Sequence, residues 1–360
     1  MANIVSCRKK SRSGLVEEDE VEISRKEDKI SSLPESLQCH ILSFLTTQEA
    51  VRTSVLSSTW RYLWKWVPTL ELESSNFPND EACVAFIDKF LNFQSLREFS
   101  LHIDEYSKID ASLYEPCLGK LIKRKIHRFS VDCYRDIKIP ITLPPWEALV
   151  WLGLYFVRLN DFESLYLPCL KTMFLEEVIF PSDISSCILD TPRLEYLSLK
   201  DSNFKSLEII RISDSFKVDI EVDFDLTYID LLSDSKIIYN LLNNFSDARE
   251  MTLSWTLEGL SEDDYPDRVP TSLSNVLSYC LVSSLEYVEF ENLMIKDKAT
   301  LRKLVRYFLG NATSLKKLVL RFNVSYGKKP HPQPEDPDFL KQYFDCERRS
   351  HLCQFDVFSQ

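Results

Sequence analysis

Glycine is scarce in this chain, at 6 residues of 360. Loops that cradle phosphate need glycine where backbone N–H groups close on the anion, and neither a GxGxxG nor a GxxxxGK[ST] pattern occurs. Histidine is scarcer still: His40, His102, His127, His331 and His351 are the only five. None falls in an HExxH motif and no GxSxG elbow is present, so the residue patterns of zinc peptidases and serine hydrolases are missing. The 10 cysteines include no CxxC pair, and Cys346, His351 and Cys353 lack a fourth ligand at zinc spacing. Cys133 and Cys169 lie in apolar runs, where a reduced thiol packs as a small hydrophobe, and this usage points to a reducing compartment. No apolar stretch approaches the roughly 18–20 residues that cross a bilayer. The first twenty residues, MANIVSCRKKSRSGLVEEDE, lack the apolar centre of a signal peptide. No membrane partner is expected, and the expected location is cytoplasmic, nuclear or both; Arg8, Lys9, Lys10 and Arg12 read as part of a solvated tail.

Positive charge is in deficit. Lys and Arg number 43 against 55 Asp and Glu, a net charge of −12 that repels phosphate backbones, so no nucleic-acid partner is expected. Lys123-Arg124-Lys125 and Arg348-Arg349, the densest basic clusters beyond the N-terminus, read as solvated faces. Glu262-Asp263-Asp264 reads as loop solvation rather than as paired catalytic carboxylates. These absences leave no pattern for a cofactor, a metal or catalysis, and none of the three is expected.

What is present is apolar and periodic. With 44% hydrophobic residues the chain can bury a sizeable core. Residues 1–27 are charged and Ser-rich and read as a disordered tail. From Asp28 the apolar residues fall at helical spacing: Leu37, Ile41, Leu42 and Leu45 form one stripe, Val51, Val55 and Leu56 a second, and Trp60, Leu63 and Trp64 a third. Pro34 suits a first helical turn, Ser32 is the expected cap, and Thr46-Thr47 ends the first helix. The spacing predicts three short helices within residues 28–75. Trp60, Trp64 and Trp66 crowd into seven residues, on a unit too small to bury them all, and exposed aromatics of this kind anchor protein interfaces.

Asp80 is placed to cap a further helix through Phe86, Ile87, Phe90 and Leu91. Then an apolar-x-x-apolar-x-apolar phrase recurs. It appears at Leu96-Phe99-Leu101, Ile126-Phe129-Val131, Leu149-Leu152-Leu154, Leu170-Met173-Leu175, Leu194-Leu197-Leu199, Ala248-Met251-Leu253, Leu285-Val288-Phe290 and Leu315-Leu318-Leu320. The starts at 126, 149, 170 and 194 lie within the 20–29 residue period of leucine-rich repeats. One such unit cannot bury its apolar face alone, so stacking into a solenoid is predicted. Residues between the repeated positions, such as Ser100, His102, Gly153, Ser198 and Lys200, should point toward its concave face. Near the end, the pattern predicts strand Leu285–Phe290, a helix from Asp297 to Leu309 stopped by Gly310, and strand Leu315–Phe322. Pro330, Pro332, Pro334 and Pro337 then exclude regular structure.

The stretch ISSLPESLQCHILSFLTTQEAVRTSVLSSTWRYLWKWVP resembles an F-box of the large plant F-box/leucine-rich-repeat class. Leu33-Pro34, His40 to Leu45, Ala50 to Ser57 and Trp60 to Trp64 stand in the family's order. CLVSSLEYVEF followed by LRKLVRYFLGNATSLKKLVL resembles the FBD domain that ends many members. The implied architecture is α/β: an F-box (28–75), an irregular repeat solenoid of mainly parallel sheet with helices outside (76–265), an FBD-like strand–helix–strand unit (266–327) and a Pro-rich tail (328–360). The resemblance implies the substrate-receptor subunit of a Skp–cullin–F-box ubiquitin ligase, without catalysis of its own. Its F-box would dock a Skp-type adaptor, and through it cullin and RING subunits, by Leu33, Pro34, Leu37, Ile41, Leu42, Leu56, Trp60 and Leu63. The repeat body would hold a protein target. Two departures stand out: Ser58-Thr59 replaces a basic pair common in relatives, and DISSC at Asp183–Cys187 runs straight into ILDTPRLEYL, as if one to two repeats were missing. They leave open a second reading, an interaction protein whose F-box no longer engages a ligase.

Overall fold

The computed structural model describes residues 29–92, 96–104, 111–134, 138–160, 164–180, 187–200, 207–223, 248–256, 284–293, 305–306, 308–322 and 349–359. The expected N-terminal tail, the cluster at 262–264, the proline-rich stretch 330–337 and most of the helix expected over 297–309 lie outside these residues.

The N-terminal unit is helical. α1 spans Glu35–Leu42 and follows Pro34, which occupies the cap position without a capping side chain. Ser32, the expected cap, instead donates its hydroxyl to the Lys29 carbonyl at 2.8 Å. α2 spans Thr47–Arg52 and starts from a capping box. The Thr46 side chain accepts from the Glu49 N–H, and the Glu49 carboxylate accepts from the Thr46 N–H at 3.0 Å, so two orphan donors are satisfied. Two 3₁₀ turns, Thr53–Val55 and Trp60–Trp66, complete the unit.

Next comes β1, Thr69–Glu73, the first strand of an eleven-stranded sheet in which every neighbouring pair is parallel. The strands, laid down in chain order, are β1, β2 (Glu98–Ile103), β3 (Arg128–Cys133), β5 (Trp151–Tyr155), β8 (Thr172–Glu176), β10 (Tyr196–Lys200), β12 (Lys217–Asp223), β13 (Glu250–Thr256), β14 (Tyr287–Leu293), β15 (Lys317–Phe322) and β16 (Gln354–Ser359). All eight repeat phrases lie in or lead into these strands. Their register is continuous: Leu72, Leu101, Val131, Leu154, Leu175, Leu199, Ile220, Leu253, Phe290, Leu320 and Val357 form one ladder across the whole sheet. A second apolar ladder runs two residues earlier along each strand, because alternate side chains share a face. Together these rows are one wall of a core extending from Leu70 to Cys353, with Phe355 and Val357 packed against it.

Among the described residues, helices cover that wall near its N-terminal end, where α3 (Asp80–Leu91) joins β1 to β2 and α4 (Ala111–Gly119) joins β2 to β3, and again near the C-terminal end, where Val305, Phe308 and Leu309 of a helical stretch pack into the core. In the middle repeats the outer layer is made of short strands: β4 (Ile139–Ile141) pairs with β6 (Val157–Leu159), and β9 (Cys187–Asp190) lies between β7 (Ser164–Tyr166) and β11 (Leu207–Ile210). Between β5 and β8 the connection over 156–171 carries β6 and β7. Each return begins sharply. Phe156 and Glu177, just after β5 and β8, sit at φ 56° and 45°, and their N–H groups donate to the last residues of the next strands, Glu176 and Lys200.

The cap of α3 is Asn79, whose side chain accepts from the Ala82 N–H at 2.9 Å, and the expected capping residue, Asp80, is buried instead. Tyr114 of α4 donates its hydroxyl to Asp80 Oδ1 at 2.9 Å. Burial, with Cys83 and Asp80 beside it, holds the Tyr114 phenol far above its ordinary pKa, so it remains a donor. Tyr114→Phe strands that carboxylate oxygen inside and should cost about 1–3 kcal/mol, read as a lower urea midpoint at unchanged slope.

Two expectations at the C-terminal end are corrected. Gly310 does not stop its helix, since residues 308–311 are helical and the Ala312 N–H donates to the Phe308 carbonyl at 2.9 Å. The last residues of the expected Pro-rich tail form β16, pairing with β15 from Lys317↔Gln354 to Phe322↔Ser359. Cys353, Phe355 and Val357 carry the period-two signal for that strand, which the prolines before it obscure.

Candidate protein-interaction surfaces

The N-terminal unit has a small core of its own: Leu42, Ala50, Trp60, Leu63 and Val67. Trp60 is 4% exposed and donates its indole N–H to Ser31 Oγ at 3.0 Å. Gln38, buried on the inner side of α1, donates to the Ile30 and Ser31 carbonyls at 3.2 and 3.1 Å, pinning the segment that carries Leu33 and Pro34. Trp64 is half-buried and packs against both this core and the sheet core, with its ring 5.8 Å from Phe90. The Glu71 N–H donates to Thr47 Oγ1 at 2.8 Å, so the helical unit is tied directly to β1.

α1 is apolar on two sides. Gln38 and Leu42 face inward, while Leu37, Ile41 and Phe44, spaced four and three residues apart, share the outer side. Phe44 is 77% exposed, with the His40 ring edge-on to it at 4.9 Å. After α2, Val55 and Leu56 are 85% and 68% exposed. Nine of the seventeen large exposed hydrophobic residues among the described residues fall between Ile30 and Trp66, a concentration typical of a protein-binding surface.

The expected docking residues therefore divide. Pro34, Leu37, Ile41 and Leu56 are exposed and Leu33 is half-buried, but Leu42, Trp60 and Leu63 are sealed inside the unit. The reading of the tryptophans as a common exposed anchor is overturned for Trp60, because five apolar side chains suffice to bury an indole whose N–H has a partner. Phe44, Leu45 and Val55 were missed. Their signal is a helical face offset from Leu42 that continues past the end of α1. Ser58 and Thr59, in place of the basic pair, are exposed.

A second surface is the sheet face opposite the core. In register across neighbouring strands lie Arg128, Trp151 and Thr172, then Ser130, Gly153 and Phe174. The Arg128 guanidinium stands 3.7 Å from the Trp151 ring centroid, Trp151 lies 5.5 Å from Phe174, and Phe174 lies 5.4 Å from Tyr196. Tyr196 donates its hydroxyl to Asp219 Oδ2 at 3.3 Å. The Trp151 indole lies over Gly153, where any Cβ would meet it at 2.4 Å, so the absence of a side chain there makes room for the ring. Toward the strand ends the face turns acidic, with Glu73, Asp132, Glu176, Glu221 and Glu291 answered by Lys200 on Glu221 at 2.9 Å and by Arg321 on Glu289. The expected concave-face residues Ser100, His102, Gly153, Ser198 and Lys200 all lie in these rows, and His102 sits 3.0 Å from both Asp104 and Asp132.

Burial pushes the carboxyls of Glu176, Asp219 and Glu291 up, and facing carboxylates add to the effect: Asp132 and Glu221 at Glu176, Glu221 and Glu289 at Asp219, Glu289 and Asp219 at Glu291. A carboxyl raised on folding binds its proton more tightly in the folded state, so its penalty is present above the folded pKa and relieved as pH falls through it. Glu176→Gln with Glu291→Gln should therefore be more stable than the parent at pH 7. That advantage should shrink as pH falls through the carboxylate range, measured by urea midpoints across pH. Burial also pushes the thiols of Cys83, Cys117 and Cys133 up, to about 11, 12 and 12, so they are inert packing groups. Cys169, expected in an apolar run, is half-buried.

Comparison with known proteins decides what these surfaces belong to. The F-box domain model matches residues 30–72, the Leucine Rich Repeat model residues 169–189 and the FBD model residues 276–320. An F-box/FBD/LRR-repeat protein of Arabidopsis thaliana is 42% identical over 452 aligned positions, covering 93% of this chain and 92% of the relative. The chain belongs to the F-box/FBD/LRR-repeat family. An FBD-associated F-box protein of the same plant is 36% identical, covering 92% of this chain and 98% of its own length. The F-box match contains the exposed apolar side of α1 together with β1, so the F-box runs without a break into the repeat sheet. The 452 aligned positions exceed the 360 residues of this chain, so the relative carries internal segments that this member lacks. No helix among the described residues is long and apolar enough to cross a membrane.

Proposed function

We propose that this F-box/FBD/LRR-repeat chain is the substrate receptor of a Skp–cullin–F-box ubiquitin ligase, non-catalytic itself, acting in the cytoplasm or nucleus. The observation that carries this reading is the exposure of Leu37, Ile41, Phe44, Val55 and Leu56 on a unit whose own core is confined to Leu42, Ala50, Trp60, Leu63 and Val67. Fully burying each such side chain is worth roughly 1.5–3 kcal/mol, so a few of them suffice for stable docking of a Skp-type adaptor. Because Thr47 and Trp64 join the F-box to β1 and α3, an adaptor held there would be fixed relative to the sheet.

The target-binding surface is the aromatic and acidic face of the sheet. Its half-buried Trp151, Phe174 and Tyr196 supply apolar area, and its under-compensated carboxylates favour a target segment bearing Lys or Arg. The alternative, an interaction protein with an idle F-box, draws on the exposed Ser58-Thr59 that replaces a basic pair. Co-purification of the full chain with a Skp-type adaptor separates the two readings. A stoichiometric complex that survives gel filtration is expected, and recovery of the free chain alone would favour the idle F-box.

A further inference from the structure

Where the F-box meets the first repeats there is a cavity of about 740 Å³. Among the described residues its lining includes Trp66 and the basic residues Arg97, Lys123, Arg124, Lys125 and His127, and no acidic residue. In a chain of net charge −12 that sign needs an explanation. Elsewhere among the described residues nine Lys and Arg side chains reach carboxylates, including Lys120 on Asp88 and Lys217 on Glu250, both at 2.6 Å. Arg97, Lys123 and Lys125 form no ion pair among the described residues, although Asp and Glu are in surplus. Like charges gathered around one concavity repel, and the arrangement is stabilised when an anion enters.

The walls are held by backbone. The Arg97 N–H donates to the Pro68 carbonyl at 2.8 Å and the His127 N–H donates to the Arg97 carbonyl at 2.7 Å, so the entries to β1, β2 and β3 are hydrogen-bonded in series. Arg124 is oriented by its donation to the Leu91 carbonyl at the end of α3. Trp66 is 68% exposed and supplies a flat apolar wall beside the cations.

We propose that this junction cavity binds a compact, multiply phosphorylated small molecule. Arg and Lys give phosphate oxygens charge-assisted hydrogen bonds, and several cations converging on a hollow favour a ligand with several phosphates over one. The small size follows from the rest of the protein: a nucleic acid or an anionic membrane would extend beyond the cavity onto a surface of the same sign as itself. Trp66 and the entry to β1 close the F-box, whereas Arg97 and Lys123 to His127 open the repeats, so the bound anion braces the two parts against each other. The site stands whether or not the F-box engages a ligase.

The test is titration calorimetry of the full chain with inorganic tripolyphosphate at about 0.1 M salt, where long-range charge effects are largely screened. Saturable binding with a Kd of roughly 100 μM or tighter is expected. The variant Arg97→Gln, Lys123→Gln, Lys125→Gln should weaken it by roughly tenfold or more, and Lys125→Glu alone should weaken it measurably. The control Lys171→Gln, Lys217→Gln removes comparable surface charge elsewhere and should leave affinity unchanged. All four substituted cavity and control lysines, and Arg97, are exposed, so melting temperatures without ligand should match the parent. No saturable binding by 1 mM, on the order of the weakest specific affinities, would overturn the proposal. Equal losses in cavity and control variants would overturn it too. So would tighter binding, through the same residues, of a single-stranded RNA or of phosphatidylserine vesicles, which would assign the cavity to a macromolecular anion.

Discussion

Leu37→Asp combined with Leu56→Asp is expected to weaken capture of a Skp-type adaptor by about a hundredfold or more while leaving the melting temperature of the free chain within a degree or two of the parent. Both side chains are exposed, so the free protein loses little packing when they change. Docking loses two apolar anchors, each worth roughly 1.5–3 kcal/mol when buried, and must also desolvate two carboxylates at an interface with no partner provided for them. Trp60→Ala should behave differently. It empties the middle of the cluster of Leu42, Ala50, Leu63 and Val67 and releases Ser31 from the indole N–H, so it lowers binding by loosening the F-box. Surface plasmon resonance with immobilised adaptor, read beside thermal melts, distinguishes these outcomes. Full adaptor affinity in the double aspartate variant would place the docking surface elsewhere.

The largest effect on stability is expected from Phe129→Ala. Phe129 of β3 is stacked on Phe99 of β2 at 5.7 Å and packs on Trp146 at 4.9 Å, and Trp146 in turn donates its indole N–H to the Leu121 carbonyl at 3.2 Å. The hydrogen bond holds the Trp146 ring in place, so it cannot swing in to fill the space. Truncation to alanine should cost about 3–5 kcal/mol, a loss large enough to expose the N-terminal repeats at physiological temperature. Urea unfolding followed by far-UV circular dichroism measures it; a loss below about 1 kcal/mol would mean that the helical layer can collapse onto β3.

These two predictions mark where the sequence was readable. The phrase that repeats Leu or its equivalents at fixed spacing is read directly, because each repeat needs the same two inward side chains to continue the ladders. β1, β12 and β16 escaped that reading. Leu70-Leu72 falls inside the F-box match, Val218-Ile220 follows Phe216 by two residues rather than three, and β16 follows a run of prolines. The outer strands β4, β6, β7, β9 and β11 were illegible because three or four residues carry too little period to tell from a loop.

The F-box shows the other limit. Periodicity identifies apolar residues on α1, but a helix apolar on two sides looks the same whether one face meets its own chain or another. Only packing separates Leu42 from Leu37, and it assigns Trp60 to the core although its position in the motif suggested contact. In sequence Lys123-Arg124-Lys125 is indistinguishable from a solvated charge run; the cavity it lines with Arg97 and Trp66 is assembled by the sheet from segments about thirty residues apart in sequence.

The most direct check on the account is hydroxyl-radical footprinting of the full chain, alone and with a saturating Skp-type adaptor, quantified by mass spectrometry. Leu37, Ile41, Phe44 and Leu56 should react readily in the free chain and become protected in the complex, with Trp60 slow to react in both. Rapid labelling of Trp60 in the free chain, or a complex that leaves the outer side of α1 as reactive as before, would contradict it.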